Sequence, residues 1–210
     1  MNLLKMNNSF DLIRKAIFAG IAISFGCLAF LTMGNLIGPV LFTFGLITVI
    51  HYKLSLYTGS VGFLELIGFN KEILANWKTI LLIILGNIVG CLIVAIIARY
   101  GNFTYDLNVD TIVTSRLSQP ILAVITRGIG CGLIMSVAVQ FARENRFLPL
   151  LFGVPLFIYC GFYHSIADSF YYLYSSLPIS LHMIWILFMT YVGNYLGCSV
   201  YKVFLNKVSK

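Results

Sequence analysis

The segment GNIVGC at residues 86–91 recurs as GNYLGC at residues 193–198, so the pattern G-N-x-x-G-C returns after 107 residues, about half of the chain. Small residues at this spacing let membrane helices approach closely, and such motifs are most often packing surfaces. Here the recurrence itself is informative, because two weaker matches keep the same order and nearly the same offset. They pair AGI at residues 19–21 with RGI at 127–129, and Gly45 with Gly153. The three matches together indicate an internal duplication.

The composition places the chain in a membrane. Sixty per cent of its 210 residues are hydrophobic, 10% are charged, and the mean hydropathy is +0.94. Soluble domains average about 45–50% apolar and about 25% charged residues, so a soluble core could not hide this much apolar surface. At about 20 residues per spanning helix, the chain has room for six spans. We place them at 16–37, 39–56, 79–99, 120–142, 149–173 and 182–203.

The six spans predict a single transmembrane domain over residues 1–210, all α-helical, with repeat halves at about 16–101 and 120–204. Each half holds three spans, and an odd number makes the second half enter the membrane from the opposite face. The result is an inverted 3+3 repeat. This plan is common in transporters, whose sites lie near the bilayer midplane between the repeats.

The net charge of +7 follows the loops rather than a nucleic-acid surface. If six spans alternate, ten of the lysines and arginines fall on one side of the membrane, whereas Arg99 and Arg116 fall on the other. This is the positive-inside pattern, and it predicts a multi-pass protein of the cytoplasmic (inner) membrane with both termini in the cytoplasm. The lipid bilayer is then an expected partner, and no nucleic acid is needed to explain the charge.

The sequence carries no motif for metal, cofactor or catalytic chemistry. The five cysteines all fall in apolar spans, without a CxxC or Cys/His spacing, and are interpreted as small packing residues. No carboxylate pair, metal-ligand cluster or nucleophile triad stands out. We therefore expect no metal, no cofactor and no enzymatic activity.

Two spans carry polar interruptions at corresponding places in the two halves. The second span begins at Pro39 and runs into YTGSVG at residues 57–62, and the fifth begins at Pro149 and runs into YHSIAD at residues 163–168. Non-helical backbone at membrane depth is tolerated only where it is buried in protein or lines a cavity. Broken helices at matching positions are the best sequence indication of a transport site.

Ionisable residues near the interruptions are the functional candidates, because charge inside a membrane is costly. His164 lies in the middle of the fifth span, Lys53 just before the first break and Asp168 just after the second. We assign His164 to the pore centre, while Lys53 and Asp168 either face the pore or neutralise each other as a structural pair. Aromatic residues near the breaks can form constrictions that gate by excluding water. They are Phe42, Tyr57 and Phe157.

Four segments together resemble the formate/nitrite transporter family over about residues 16–204. AGIAISFG at residues 19–26 is similar to its first-helix motif, and GFYHSIA at residues 161–167 is similar to its signature G-F-E-H-S-x-A-N. The other two are GLITV at 45–49 followed by LYTG at 56–59, and RGI at 127–129 followed by Cys131.

The resemblance implies a homopentamer of aquaporin-like protomers, each with its own pore for small monovalent anions such as formate, nitrite, hydrosulfide and lactate. It makes His164 the central pore histidine and Thr58 its hydroxyl partner. It also implies two constrictions, a cytoplasmic one lined by Phe42, Leu46 and Phe157 and an outer one lined by Leu56, Tyr57 and Met135.

Polar residues around this pore depart from the family pattern and indicate a divergent member. His164 and Thr58 are kept, so we expect the family fold with an altered polar shell, and the choice among anions is what the alteration affects. The departures are Ser55 and Tyr163 for glutamates, Gly132 and Asp168 for asparagines, Lys53 for a glycine and Arg116 for a lysine.

The expected function is a channel or proton-linked transporter for a weak-acid anion and a proton. A bare anion loses its hydration in an apolar slit, and protonation to the neutral acid avoids that cost. Lys53 and Arg116 would draw the anion into a vestibule, where His164 would donate a proton or stabilise the anion. One alternative is a pore for a small neutral solute such as ammonia, with Lys53 and Asp168 as a structural pair. Another is a structural or sensor role without transport.

Overall fold

The computed structural model describes residues 3–61, 72–103, 105 and 107–204, and all regular secondary structure in these ranges is helical. Gly62, in the first interruption, lies outside them, as do Lys71, Lys207 and Lys210 among the charges used for topology. The helices are α1 (Leu3–His51), α2 (Tyr57–Val61), α3 (Glu72–Tyr100), α4 (Val109–Leu117), α5 (Ile121–Arg143), α6 (Leu148–Tyr159), α7 (Ser165–Tyr174) and α8 (Leu181–Phe204).

Helix α1 is two helices joined at Gly34. Its apolar part, Ser9–His51, has 43 residues, which at 1.5 Å per residue is about twice the hydrocarbon thickness of a bilayer. Gly34 has φ 65° and ψ −157°, a conformation open to glycine, and the chain folds back there. Tight contacts across the two arms (residues 3–33 and 35–51) pair Gly26 with Phe42, Gly38 with Phe30 and Gly45 with Ala22. The arms are therefore antiparallel neighbours.

The prediction of an all-helical chain with several apolar spans is confirmed. Among the described residues, four helices are long and apolar enough to cross a membrane, and α6 is a shorter apolar helix. Three boundaries differ from the predicted spans. The first span was predicted to end at 37, but the chain folds back at Gly34. The second predicted span runs to 56, but the helix ends at His51 and resumes at Tyr57, and the fifth predicted span divides into α6 and α7. Helix α4 was not predicted, because it is short and of mixed polarity.

Close backbone contact holds α1 against α3 and α5 against α8. A methyl group at Gly20 would lie 2.1 Å from the Asn87 carbonyl oxygen, and one at Gly132 would lie 2.3 Å from that of Asn194. No larger residue fits at either crossing. Gly20 contacts Asn87 and Gly132 contacts Asn194, so Gly20 and Gly132 occupy equivalent positions in the two halves. The sequence match of 19–21 with 127–129, which paired Gly20 with Gly128, was therefore wrong by one helical turn.

Candidate transport site

The second helix break begins with a Schellman motif at the end of α6. The N–H of Phe162 donates to the carbonyl of Phe157 (2.9 Å), and that of Gly161 donates to Ile158 (3.0 Å). Gly161 has φ 67°, the left-handed conformation that this cap requires. The chain then runs without helix until α7 starts at Ser165, which leaves His164 in an extended conformation at the N-cap of α7.

The first break begins with the same motif, built from different residues. The N–H of Leu54 donates to Val49 (2.9 Å) and that of Lys53 donates to Ile50 (3.1 Å). Lys53 occupies the left-handed position with φ 51°. A side chain there costs about 1–2 kcal/mol relative to glycine, so this lysine is held in a conformation that glycine would adopt more easily.

Two buried asparagines hold the chain just past the breaks, and they come from the repeated G-N-x-x-G-C segments. Asn194 accepts the Ser165 N–H through Oδ1 (2.8 Å), and its Nδ2 donates to two carbonyls, those of Tyr163 (2.7 Å) and Gly128 (3.0 Å). The amide oxygen and the amide NH₂ group of Asn194 are therefore both hydrogen-bonded.

Asn87 makes the matching set of bonds at the first break. Its Oδ1 accepts the Tyr57 N–H (3.0 Å), and its Nδ2 donates to the carbonyls of Ser55 (2.9 Å) and Ala16 (2.8 Å). Sequence reasoning treated these motifs as packing surfaces and missed the asparagines. The signal was present, because an asparagine recurs at the same place in both copies.

His164 and Thr58 are in contact across the two halves of the chain. His164 Nε2 lies 3.3 Å from Thr58 Oγ1, and the two side chains are only 2% and 5% exposed. His164 Nδ1 accepts the N–H of Ala167 (3.2 Å), so a neutral imidazole carries its proton on Nε2. The Nε2–H is therefore the donor that points toward Thr58.

Aromatic rings pack beside this pair. The rings of Phe42 and Phe157 meet edge to face at 5.9 Å, and the Phe157 ring lies 6.0 Å from that of His164. All three residues line a cavity of about 280 Å³, which we call the arginine cavity because Arg116 and Arg127 also line it.

A second cavity, of about 450 Å³, contains Lys53, His51 and Arg143 in its lining, and we call it the lysine cavity. Leu46 and Leu56 line it from the first half. The two cavities share no lining residue. The buried side chains between them are those of Phe42 and Leu46, one turn apart on α1, with Leu56, Thr58, Phe157 and His164.

Four of the six predicted constriction residues line the two cavities. Leu46 was grouped with Phe42 and Phe157, but it lines the lysine cavity together with Leu56. Phe42 and Leu46 lie one turn apart on α1 and line different cavities. The family motif alone does not show this separation. Tyr57 and Met135 are buried and line neither cavity. The Tyr57 hydroxyl donates to the carbonyl of Tyr191 (3.0 Å), so its side chain is committed to packing.

Asp168 pairs with Arg116, and the suggested pair of Lys53 with Asp168 is wrong. Arg116 Nε donates to Asp168 Oδ1 at 2.6 Å, with side-chain exposures of 17% and 1%. Lys53 is exposed and lines the other cavity. The sequence could not find the true partner because α4, which carries Arg116, packs onto α7 only in three dimensions.

Arg127 is a second arginine of the arginine cavity, and sequence reasoning did not assign it a functional role. Its Nη1 lies 3.4 Å from the Gly161 carbonyl and 3.4 Å from the Tyr163 hydroxyl. The Tyr163 ring lies between the two guanidinium groups, 4.8 Å from that of Arg116 and 5.3 Å from that of Arg127. Tyr163 stands where the family signature has a glutamate, so this position offers a neutral ring instead of a carboxylate.

Comparison with known proteins gives a consistent result. The nitrite transporter NirC of Salmonella typhimurium (strain LT2) is 27% identical over 185 residues, which covers 79% of this chain and 68% of that protein. A pentameric formate channel with formate bound superposes with a TM-score of 0.81 at 20% identity, covering 97% of this chain and 98% of that one. An FNT family ion channel gives a TM-score of 0.80 at 22% identity, covering 99% and 93%.

The likeness to the two solved structures shows the fold, and the apolar helices together with the family match below show a multi-pass membrane protein. The family model described as formate/nitrite transporter matches residues 4–208. The chain therefore belongs to the formate/nitrite transporter family, a family of membrane transporters and not of enzymes, as the sequence predicted.

Proposed function

We propose that this protein is a channel or proton-linked transporter for small monovalent weak-acid anions such as formate, nitrite or hydrosulfide. The observation that carries the proposal is the buried contact of His164 Nε2 with Thr58 Oγ1, between two cavities that are both lined by cationic side chains. The printed names of the relatives, a nitrite transporter and a formate channel, support the same class of substrate.

The proposed architecture is six membrane crossings arranged as an inverted 3+3 repeat. The fold-back of α1 at Gly34 supports two crossings from that helix. The equivalent bonds of Asn87 and Asn194, and the equivalent caps before each break, support the repeat. By analogy with the pentameric channel we propose a homopentamer with one pore per protomer. The positive-inside rule supports the inner membrane and cytoplasmic termini, with the lysine cavity on the cytoplasmic side. This orientation reverses the sides that the family resemblance implied for the constrictions, since Leu56 then lies toward the cytoplasm and Phe42 and Phe157 toward the outside.

The proposed pathway carries the substrate across the apolar barrier as the neutral acid. An unpaired ion loses its hydration between Phe42, Phe157 and the leucines of the other cavity, and that loss is costly. A neutral His164 offers one donor, Nε2–H, to an anion or its conjugate acid at the barrier.

The proton is proposed to come from water in the cavity and to travel with the substrate. An imidazolium would place an Nδ1–H against the Ala167 N–H and lose that hydrogen bond. His164 therefore acts as a hydrogen-bond donor to the substrate. On this account the pH dependence of flux follows the protonation of the acid that is transported.

The test is flux of formate, nitrite and hydrosulfide into proteoliposomes between about pH 5 and pH 8. His164→Asn is expected to lower anion flux at least about ten-fold, and Lys53→Ala is expected to raise the apparent KM. The matched control is His182→Asn, since His182 lies at the surface and, among the described residues, bonds to the Leu117 carbonyl alone. Unchanged flux of all three substrates in both site variants would overturn the proposal.

A pore for a small neutral solute such as ammonia is the second candidate, and one observation favours it. Asp168 neutralises Arg116, which lowers the positive charge in the arginine cavity. For such a pore, flux of ammonia would exceed that of the anions and would not depend on Lys53. The same proteoliposomes decide between the two candidates.

A further inference from the structure

We propose that Arg127, and not Arg116, is the cation that recruits the substrate anion into the arginine cavity, and that its guanidinium favours bent anions with two oxygens over anions with a single acceptor atom. The inference rests on the proposed function and specifies its site. Arg127 lines the cavity with His164, Asp168 and Arg116.

The charge of Arg116 is already balanced by the carboxylate of Asp168. Its Nε is 2.6 Å from Asp168 Oδ1, its Nη1 donates to the Ile112 carbonyl (3.3 Å), and its plane lies over the rings of Tyr163 and Tyr171. An anion approaching Arg116 also meets the second oxygen of Asp168. This Oδ2 is buried and has no hydrogen-bond partner among the described residues, so the Asp168 carboxylate keeps a negative charge beside Arg116 that repels an anion.

Arg127 faces only neutral groups. Its two hydrogen bonds go to the Gly161 carbonyl and the Tyr163 hydroxyl, both at 3.4 Å and both from Nη1. Within the described residues the edge formed by Nε and Nη2 has no hydrogen-bond partner. Counting the charged side chains that line the cavity, two arginines and one aspartate leave one net positive charge, and it sits on Arg127.

The shape of that free edge selects a ligand class. The parallel N–H groups of a guanidinium match two oxygens of one planar anion, giving a bidentate pair. Formate and nitrite have this geometry, and hydrosulfide and chloride do not. Arg127 is thus a specificity-determining residue that binds the anion one step before it reaches His164.

The experiment measures the apparent KM for formate, nitrite and hydrosulfide in proteoliposomes of the full chain. Arg127→Gln is expected to raise the KM for formate and nitrite about ten-fold, and Arg127→Lys to raise it for these two but much less for hydrosulfide. The matched control is Arg99→Gln, which removes one positive charge from an arginine that bonds to the Tyr174 and Ser175 carbonyls and does not line the cavity.

Two further variants separate Arg127 from Arg116. Asp168→Asn frees the Arg116 charge without touching Arg127, so the KM for formate should fall. This gain cannot arise from misfolding. The double variant Arg116→Gln/Asp168→Asn keeps the net charge and should change the KM far less than Arg127→Gln does.

The outcomes are distinct. A double variant that loses formate affinity as strongly as Arg127→Gln would assign recruitment to Arg116 and overturn the inference. An Arg127→Lys variant with equal losses for all three anions would overturn the bidentate selection. A wild-type protein that carries none of these anions would instead overturn the proposed function itself.

Discussion

The two helix breaks share one backbone design but present different side chains to the pathway. Each begins with a Schellman motif and is held by an asparagine that accepts the first N–H of the next helix, Tyr57 in one case and Ser165 in the other. At the preceding residue the first break has Leu56 and the second has His164. One copy thus contributes an apolar side chain and the other a hydrogen-bonding one.

This difference shows that two breaks with the same main-chain bonds can carry side chains of different chemistry. Main-chain geometry is the same at both breaks because the same caps and asparagines determine it, so a side chain can change without moving the backbone. The four predictions below test which features belong to the common scaffold and which belong to one break only.

The largest effect is expected when either asparagine is replaced, because each one holds the main chain at its own break through the same set of hydrogen bonds. Asn194→Leu and Asn87→Leu each leave one N–H and one loop carbonyl without that partner in a buried site, and each removes a further bond to a helix carbonyl. We expect a loss of about 2–4 kcal/mol in the free energy of unfolding. Thermal unfolding of the detergent-solubilised protein measures it. Gln140→Leu is the control, since Gln140 bonds to Glu144 at the surface. A much larger loss for one asparagine than for the other would break the comparison.

Next in size is the effect of making the second break resemble the first. His164→Leu removes the donor that faces Thr58 and should lower anion flux about a hundred-fold, since a hydrogen bond to an anion contributes about 1.5–3 kcal/mol. It also removes the cap bond from the Ala167 N–H to Nδ1, so the free energy of unfolding should fall by about 0.5–2 kcal/mol. Leu56→Met, a change of similar volume at the first break, should alter flux far less. Equal losses in the two variants would show that both positions act only as steric barriers.

Substitutions at the two capping residues, Lys53 and Gly161, should change the free energy of unfolding in opposite directions. Lys53→Gly relieves the left-handed strain and should stabilise the protein by about 1 kcal/mol, whereas Gly161→Ala should destabilise it by a similar amount. Lys53→Ala is the matched control, because it removes the same charge and keeps the strain. Thermal midpoints compare the three. If Lys53→Gly is no more stable than Lys53→Ala, strain at this cap is negligible.

The smallest effect concerns α4, which bonds to the end of α7 through Asp110. The Ser175 hydroxyl (2.6 Å) and the Ser176 N–H (2.9 Å) donate to this carboxylate and hold its pKa below the usual range. Because the folded pKa is lowered, the stabilisation is present above the unfolded pKa of about 3.9 and is lost as the pH falls through the folded value. Asp110 is at the surface, so the contribution should be under about 1 kcal/mol.

Thermal midpoints of the wild type and Asp110→Asn test this expectation. The midpoints should differ at neutral pH and converge under acid conditions, and Ser175→Ala should remove part of the difference. A gap between wild type and Asp110→Asn that widens toward low pH would contradict the assigned sign.

Sequence patterns were sufficient wherever the information was local or repeated. The apolar spans predicted a multi-pass helical protein, and the motifs predicted membership of the formate/nitrite transporter family, both of which are confirmed. The positions of the two interruptions followed from glycine, threonine and serine at membrane depth. The residues His164 and Thr58 were identified by motif, and the structure puts their side chains in contact.

The sequence was insufficient wherever a partner was chosen by packing. Lys53 and Asp168 have opposite charges and flank the two breaks, which suggested a pair, yet α4 brings Arg116 to Asp168 instead. Leu46 lines the same cavity as Leu56, whereas Phe42, one turn away on α1, lines the other cavity. Neither result can be read from spacing, since each depends on the contact of elements far apart in the chain.

By itself, the sequence determined that this chain lives in a membrane and which family it belongs to. Both follow from hydrophobicity and short motifs, which act over a few residues. The tertiary structure alone decided which charges cancel and which remain free in the cavities. Electrostatic pairing depends on distances of a few ångströms between side chains, and only the packing of α4, α5 and α7 sets those distances for Arg116, Arg127 and Asp168.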